Sequence, residues 1–402
     1  MHGGSVMADE TWTAAASPHI LPFDMSIYAK VTLEPCAVVR IAPRATVTVR
    51  VTGSLLGAGT PSNRILIGAR DDGKPFSSLR NLGGTIELSY TTLEGGGDPL
   101  NTQPYLAGML AGSGQDPKST ALADFTLKNV EIRGSKTNGI LLTGEGHFSD
   151  DSADVTVTGS GQYPVSVFPR RLGSVPSGTY TGNAHDEILL PGSGVTQSIV
   201  TDQTMHDRGV PYHVGNPQDS GELAIGSQAP NPVAALTIEP GVVVRFQKGG
   251  YLQIENFLGD TMPASGALIA RGTADKPIKF TSAEAAPAVG DWVGLTLGGK
   301  PDPRTVADHI VVEYAGLKTT GGTLSCEPGQ RQHAIHLRGQ PASAFITNST
   351  IAHSTAGFNS GWRGSPVDFS ATNTFTDVPG CKLTNPPDAN NNCTGRPTCA
   401  VP

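Results

Sequence analysis

Three polar residues in the second half of the chain have side chains that suit chemistry on a sugar: Glu313, His336 and Arg338. Apolar residues alternate with them, and successive side chains of a β-strand point to opposite faces, so all three are predicted to point outward. Strand spacing would place them on one face, roughly 5 to 10 Å apart. A base, an acid and an anion-binding Arg suit a lyase or an acidic-sugar site. The alternative is a solvated face with an ion pair, since the first half keeps only Glu94 of this set.

A Gly-rich segment, NSGWRGSP at 359–366, carries a second candidate site. Gly, Ser and Pro predict a loop, so Trp362 is expected to be exposed and able to stack on a sugar ring. Arg363 beside it suits an anionic glycan. Trp292 lies within a strand-like segment and is instead expected to pack at a corner of the fold.

An acidic segment, SDDSAD at 149–154, is the one candidate for a metal. Asp150, Asp151 and Asp154 offer several oxygens to Ca²⁺, but they lack the spacing of a recognised calcium loop. Asp-Ser clusters also form ordinary turns. No other cofactor is expected.

Cysteine usage indicates the redox environment. Four of the five cysteines fall near the C-terminus in irregular, Pro- and Asn-rich sequence: Cys326, Cys381, Cys393 and Cys399. An even set in such a segment favours two disulfides, of unspecified pairing, and an extracellular location. Zinc is the weaker alternative because no Cys-x-x-Cys pair occurs. The fifth, Cys36, replaces Gly241 of a related segment and is expected to be a buried small residue.

Composition restricts the class of protein. The chain has 402 residues, 50 Gly, 31 Pro and only 16% charged residues, which favours short strands and tight turns over long amphipathic helices. A net charge of −7 without a long Lys/Arg run makes nucleic acid an unlikely partner. No apolar run is long enough to span a bilayer as a helix. The start, MHGGSVMADE, has no signal-peptide features and is interpreted as an added or processed N-terminus.

The chain is internally duplicated. Residues 31–41 read VTLEPCAVVRI, and residues 236–246, 205 positions later, read LTIEPGVVVRF. Farther along, the separation settles at 219 positions, with matches that are hard to obtain by chance: Leu93-Glu94 with Val312-Glu313, Asn129 with Asn348, Ile132 with Ile351, Ser135 with Ser354, and Gly161 with Gly380. A strand, a Glu-Pro break and a second strand therefore recur in both halves.

Within each half, short apolar alternations recur about every 20 to 25 residues, which is the period of solenoid coils. Each piece is too short to be stable alone, but parallel stacking would bury its inward residues on the next coil. The predicted organisation is an added or processed start at 1–8, a first half at 9–187, a connector at 188–201, a second half at 202–388 continuous with the first, and a Cys/Pro-rich tail at 389–402. This tail is predicted to cap the solenoid, with a flexible tail as the alternative.

These pieces carry a resemblance to a known architecture. LTIEPGVVVRF (236–246), GALIARGTADKPIKFTS (266–282), GDWVGL (290–295), HIVVEYAG (309–316) and NSTIAHSTAG (348–357) resemble repeats of large secreted and cell-surface bacterial proteins of the pectin-lyase-like superfold. The resemblance implies an all-β, right-handed parallel β-helix. That superfold hosts lyases, hydrolases, adhesins and passive stalks, so it implies little about activity. A polygalacturonase-like residue set is absent.

Two functions follow as expectations. The first is a non-catalytic extracellular scaffold or adhesin-like module that binds a polysaccharide or another cell-surface partner. The alternative is a polysaccharide lyase or glycoside hydrolase with Glu313, His336 and Arg338 in its site.

Overall fold

The structure is a computed structural model, and it describes residues 1–98, 107–114, 124–192, 197–226, 233–254, 261–322, 325–327, 330–393 and 399. It divides into two compact units. Unit 1 comprises Met1–Leu189 with Arg208–Val210, and unit 2 comprises Leu190–Asp207 with Pro211–Pro402. The boundary falls inside the predicted connector, 188–201. The prediction that the two halves coil continuously stays a prediction.

Short strands make up most of unit 1. In chain order they are β1 (Gly4–Val6), β2 (Glu10–Trp12), β3 (His19–Leu21), β4 (Met25–Ile27), β5 (Lys30–Leu33), β6 (Val38–Ile41), β7 (Thr46–Arg50), β8 (Ser54–Ala58), β9 (Ile65–Ala69), β10 (Ser78–Leu82), β11 (Thr85–Ser89), β12 (Thr91–Glu94), β13 (Gly108–Gly112), β14 (Phe125–Lys128), β15 (Glu131–Arg133), β16 (Asn138–Leu142), β17 (Val155–Thr158), β18 (Val165–Val167), β19 (Gly178–Thr179) and β20 (Ile188–Leu190), which ends at the first residue of unit 2. Two short 3₁₀ segments, Ala14–Ala16 and Pro169–Ser174, also lie in the described part of this unit.

Unit 2 has the same character. Its strands are β21 (Gln203–Met205), β22 (Tyr212–Val214), β23 (Glu222–Ile225), β24 (Ala234–Ile238), β25 (Val243–Phe246), β26 (Tyr251–Ile254), β27 (Gly266–Arg271), β28 (Ile278–Ser282), β29 (Gly294–Leu297), β30 (Val306–Asp308), β31 (Ile310–Glu313), β32 (Thr319–Gly322), β33 (Gln330–Arg331), β34 (Ile335–Leu337), β35 (Ile346–Thr347), β36 (Thr350–Ala352), β37 (Phe358–Ser360) and β38 (Thr374–Thr376). In the part of the chain described, no helix is long and apolar enough to cross a membrane.

The strands of each unit stack in parallel into three sheets. In unit 1 the sheets run β1-β4-β7-β10-β13-β16-β18-β20, β2-β5-β8-β11-β14 and β3-β6-β9-β12-β15-β17-β19. In unit 2 they run β22-β25-β28-β31-β36-β38, β21-β24-β27-β30-β35 and β23-β26-β29-β34-β37, with β32 and β33 as a separate antiparallel hairpin. Successive strands of one sheet come from successive coils of the chain. This arrangement confirms the predicted all-β parallel β-helix.

A continuous apolar ladder holds the third sheet of unit 1 to the core. Val39, Ile67, Leu93, Ile132 and Val157 are direct partners on five consecutive strands, and each is at most 2% exposed. β-branched and aliphatic residues suit these positions because they pack well on a pleated surface. Burying each side chain contributes about 1.5–3 kcal/mol. The residues between them must therefore face outward.

The Glu-Pro break separates consecutive strands in both units. In unit 1 it turns the chain from β5 to β6, and in unit 2 from β24 to β25. Cys36 and Gly241 occupy equivalent turn positions with φ values of 67° and 90°. The prediction that Cys36 is buried is wrong, because this left-handed turn points its side chain to solvent, where its thiol donates to Asn63 Oδ1 at 3.3 Å.

The predicted disulfides are confirmed, and their pairing is Cys326–Cys393 and Cys381–Cys399. The segment just before the tail is packed, since Leu383 and Thr384 are buried and Asn385 O accepts a hydrogen bond from the Cys326 amide. Within the tail, the disulfides hold Cys393 and Cys399, while residues 389–393 are exposed, and the predicted cap stays a prediction. Positions 394–398 and 400–402 of the predicted tail lie outside the described residues.

The first eight residues, which the prediction left outside the first half, contain a strand. β1 lies within them and pairs in parallel with β4, from Gly4 opposite Met25 to Val6 opposite Ile27. Val6 is 3% exposed, so its burial places this short strand in the first sheet. The interpretation of the segment as an added or processed terminus stays a prediction.

Removing an inward side chain of the ladder should destabilise unit 1. For Leu93→Ala we expect the free energy of unfolding to fall by about 2–5 kcal/mol, because the fixed strands on either side cannot collapse into the space. Urea denaturation followed by far-ultraviolet circular dichroism measures this loss. Val51→Ala is the control, since Val51 is 65% exposed and should change stability by less than about 0.5 kcal/mol. Equal losses in both variants would contradict the assigned core.

Candidate functional site

A row of charged side chains crosses the outer face of the third sheet of unit 1. The row follows four neighbouring strands. Arg40 on β6 is paired with Gly68 on β9, and Gly68 is paired with Glu94 on β12. Glu94 is in turn paired with Arg133 on β15. Each of these residues follows an inward member of the apolar ladder, so all four face away from the core. Parallel strands lie about 4.8 Å apart, and side chains on successive strands are therefore within bonding reach.

Two guanidinium groups clamp one carboxylate in this row. Arg133 Nη2 and Nε donate to Glu94 Oε2 at 2.8 and 3.1 Å, and Arg40 Nη1 donates to Glu94 Oε1 at 3.2 Å. Arg40 must reach across the strand that carries Gly68. A Cβ at residue 68 would lie 2.8 Å from Arg40 Nη1 and 2.9 Å from Glu94 Cγ, so glycine makes this contact sterically accessible. We call Arg40, Glu94 and Arg133 the ionic triad.

The ionic triad fixes the charge of its carboxylate. Partial burial alone would raise the pKa of Glu94, but hydrogen bonds from Arg133 and Arg40 outweigh it and hold that pKa below its usual value. The hydrogen bond with Glu94 also raises the pKa of Arg133. Glu94 is therefore a permanent anion near neutral pH.

An open cavity of about 410 Å³ lies beside the ionic triad and is lined by it together with Asp71, Asp72, Lys74 and Lys136. We call this cavity the charged groove. Hydrogen bonds from Arg70 lower the pKa of Asp71 and occupy its carboxylate. Lys74 and Lys136 are exposed, and neither makes an ion pair with a described residue. The charged groove therefore presents two available ammonium groups next to a neutralised carboxylate.

The predicted grouping of Glu313, His336 and Arg338 is wrong. Glu313 lies on β31, while His336 lies on β34 and Arg338 follows it, and these strands belong to different sheets of unit 2. Glu313 is half-buried, accepts a hydrogen bond from Thr281 at 2.9 Å and lies 3.3 Å from Lys279 Nζ. The period of two gives the facing of a strand but not the sheet to which it belongs.

His336 is also buried, at 3% exposure, although it alternates with inward Ile335 and Leu337. A loop covers this outer face, because the strand partner of His336, Asn359, donates to Ser325 Oγ at 2.8 Å. The neighbouring residue of Ser325 is the disulfide-bonded Cys326. The prediction that His336 is exposed is wrong, because the loop that contains Ser325 and the disulfide-bonded Cys326 covers this face of the sheet.

The predicted exposure of Trp362 is wrong as well. Its side chain is 0% exposed and its Nε1 donates to Ser365 O at 3.1 Å, so its ring faces are not open to a sugar. The Gly-rich segment curls around the indole rather than presenting it. Arg363 is exposed next to it. Trp292 is buried as predicted and stacks on Phe246, with ring centroids 4.3 Å apart.

The acidic segment forms a turn rather than a cluster. Asp150 and Asp151 are exposed, and Ser152 turns inward to donate to Phe125 O. Within the described ranges, no three His, Cys, Asp or Glu side chains are arranged to hold a metal ion. Asp154, at φ 55°, instead borders a second cavity on the face that carries the charged groove.

The ionic triad was missed by reasoning from the sequence, although a signal for it exists. Leu93-Glu94-Gly95 and Ile132-Arg133-Gly134 share an apolar, charged, Gly order, and both glycines have positive φ, 71° and 69°. Such a glycine marks the turn that ends the strand, so the charged residue before it lies at the same level in each coil. Aligning the coils on these glycines would have placed Glu94 beside Arg133.

Comparison with known proteins agrees with this architecture. Residues 224–327 match the family model described as the pectate-lyase-like beta helix domain. This segment of the chain is therefore similar to a pectate-lyase-like β-helix domain, in agreement with the parallel coils of the structure. No curated protein and no solved structure matches the chain. The match lies in unit 2 and the charged groove lies in unit 1, so the match supports the fold and carries no information about the groove.

The lowered pKa of Glu94 predicts a pH-dependent contribution to stability. A carboxyl whose pKa is lower in the folded protein stabilises it above the unfolded pKa, near 4.5, and loses that effect as pH falls through the folded pKa. Glu94→Gln should therefore lower stability by about 1 kcal/mol at pH 7 and by less at acid pH. Urea midpoints measured from pH 7 to pH 3 test this. Glu87→Gln, an exposed change on β11, should show no such convergence with the wild type.

Proposed function

We propose that the protein is a non-catalytic extracellular β-helix module that binds an anionic glycan in the charged groove of unit 1. The observation that carries the proposal is the pair of exposed ammonium groups, Lys74 and Lys136, beside the ionic triad. A carboxylate or sulfate of a sugar bound in the charged groove would be attracted by both. A volume of about 410 Å³ is within the usual range for small-ligand sites.

The charge balance of the charged groove favours an anion. Four cationic and three anionic side chains line it, and one of the anions, Asp71, is already paired with Arg70 outside the lining. Glu94 is paired with two arginines, so its charge does not oppose an incoming carboxylate. The lining keeps an excess of positive charge, to which the exposed Lys74 and Lys136 contribute and which Asp72 only partly offsets.

Binding is favoured over turnover by the state of these groups. A general acid must release a proton near the working pH, and the two arginines keep Glu94 ionised. The groove thus has groups that suit recognition of charge and lacks, among its described side chains, a poised proton donor.

The disulfides support an extracellular location. Cys326–Cys393 and Cys381–Cys399 both tie irregular sequence to unit 2, and such bonds persist in oxidising compartments. Extended β-helix surfaces outside the cell meet polysaccharides and other surface components, which are the partners expected here.

Removing one ammonium group should weaken binding without affecting the fold. For Lys136→Gln we expect the dissociation constant for oligosaccharides that contain uronate to rise about tenfold, since a charge-assisted hydrogen bond contributes about 1.5 kcal/mol. Isothermal titration calorimetry at fixed low salt measures this change. Lys128→Gln is the matched control, because Lys128 is exposed on β14 of another sheet and should bind like the wild type.

The same samples separate binding from catalysis. Product formation is followed by absorbance of unsaturated ends and by reducing ends over many hours. We expect binding and no products. Products that appear with the wild type and vanish with Lys136→Gln would instead support the lyase or hydrolase alternative.

A further inference from the structure

A second cavity of about 770 Å³ lies on the same outer face of unit 1 as the charged groove. Its lining includes Arg64, Glu131, Asp154, Thr156 and Thr179. Glu131 is opposite Thr156 on the next strand of the sheet. We call this cavity the acceptor cavity, because carboxylate and hydroxyl groups, which accept hydrogen bonds, line much of it.

The acceptor cavity adjoins the charged groove on a single strand. Glu131 and Arg133 are two residues apart on β15 and both face outward, and Arg133 Nη1 lies 3.5 Å from Glu131 Oε1. Side chains two apart on a strand are separated by about 6.8 Å along it. One extended chain of sugars crossing this pair would therefore touch both cavities.

The guanidinium group of Arg64, which lines the acceptor cavity, is already hydrogen-bonded within the protein. Arg64 donates to Thr91 O at 3.1 Å, to Asn129 O at 3.0 Å and to the Thr92 hydroxyl at 3.3 Å. A guanidinium held by three internal acceptors stabilises the turns on which it lies and has few donors left for a ligand. Arg64 therefore forms the wall of the cavity.

The remaining groups are mainly acceptors. Asp154 is exposed and makes no ion pair with a described residue, while Glu131 is one-third exposed at the border with Arg133. The hydroxyls of Thr156 and Thr179 add further acceptor sites. Carboxylates and hydroxyls of this kind bind the hydroxyl and amide donors of a neutral sugar. Glu131 is paired with Arg133, so a second uronate placed here would meet the unpaired negative charge of Asp154, which disfavours it.

Unit 2 shows that the β-helix does not require these charges. The positions equivalent to Arg64, Glu131 and Asp154 lie 213, 219 and 219 residues later, and they are Pro277, Thr350 and Asn373. The same strands form in both units, as β9, β15 and β17 in one and β28, β36 and β38 in the other. The charges of the acceptor cavity are thus an addition to a shared framework.

We infer that the two cavities are neighbouring subsites for an acidic heteropolysaccharide, in which a uronate in the charged groove is followed by a neutral sugar in the acceptor cavity. This inference rests on the proposed function, because the charged groove must bind the uronate. It adds a preference: an alternating polymer binds more tightly than a polymer made of uronate alone.

The preference is tested by titration calorimetry with two size-matched probes, an oligosaccharide of alternating glucuronate and N-acetylglucosamine and an oligogalacturonate. The wild type should bind the alternating probe at least about tenfold more tightly. Asp154→Asn removes one repelling charge and weakens an acceptor, so the ratio of the two dissociation constants should fall severalfold. Asp150→Asn makes the same change in the neighbouring exposed turn and should leave the ratio unchanged.

The outcomes separate this inference from the proposed function. Lys136→Gln could weaken the binding of both probes while Asp154→Asn leaves the ratio of the two dissociation constants unchanged. In that case the acceptor cavity is not a subsite, and the proposed binding in the charged groove is retained. A wild type that binds oligogalacturonate as tightly as the alternating probe also overturns the preference. If neither probe binds, or Lys136→Gln changes neither affinity, the proposed function itself fails.

Discussion

The in-register stacking of inward side chains is the constraint on which the rest of the molecule depends. In the third sheet of unit 1, Val39, Ile67, Leu93, Ile132 and Val157 lie directly over one another. A shift of one residue on any strand would move its apolar side chains to solvent, so burial fixes the register. Because strand faces alternate, the same register fixes the outward side chains, and the ionic triad is aligned by the core beneath it.

This alignment makes the charge order along the outer face important. Like charges on adjacent strands would repel one another at about 4.8 Å, and the observed order avoids that: Arg40, then Gly68, then Glu94, then Arg133. Gly68 leaves the space through which Arg40 reaches Glu94. Glu94 is neutralised by its two arginines, so its charge does not cancel the positive charge of the exposed Lys74 and Lys136 in the charged groove. The positive character of the groove therefore also depends on residues outside the triad.

The coil architecture was predictable from the sequence, whereas the site was mostly not. Alternating apolar residues and the recurring Glu-Pro break specify strands that stack, and the pattern correctly gave duplicated parallel coils. It cannot specify which of three sheets a short strand joins, so Glu313 and His336 were wrongly grouped. Nor does it show covering by distant segments, and Trp362 and His336 are buried by loops that local composition predicts to be open. Cys36 was wrongly predicted to be buried. Its equivalence to Gly241 reflects a shared left-handed turn rather than a shared position in the core.

Duplication explains how a uniform scaffold acquires a local site. Both units keep Arg and Glu at equivalent outward positions, as Arg40 and Glu94 in one and Arg245 and Glu313 in the other. They differ in the charged groove, where Arg133 and Lys136 of unit 1 correspond to Ala352 and Thr355 of unit 2. Outward residues contribute little to the core, so they can change while the inward ladder is retained. The fold is therefore common to both units, whereas the positive charges of Arg133 and Lys136 occur in unit 1 and not at the equivalent positions of unit 2.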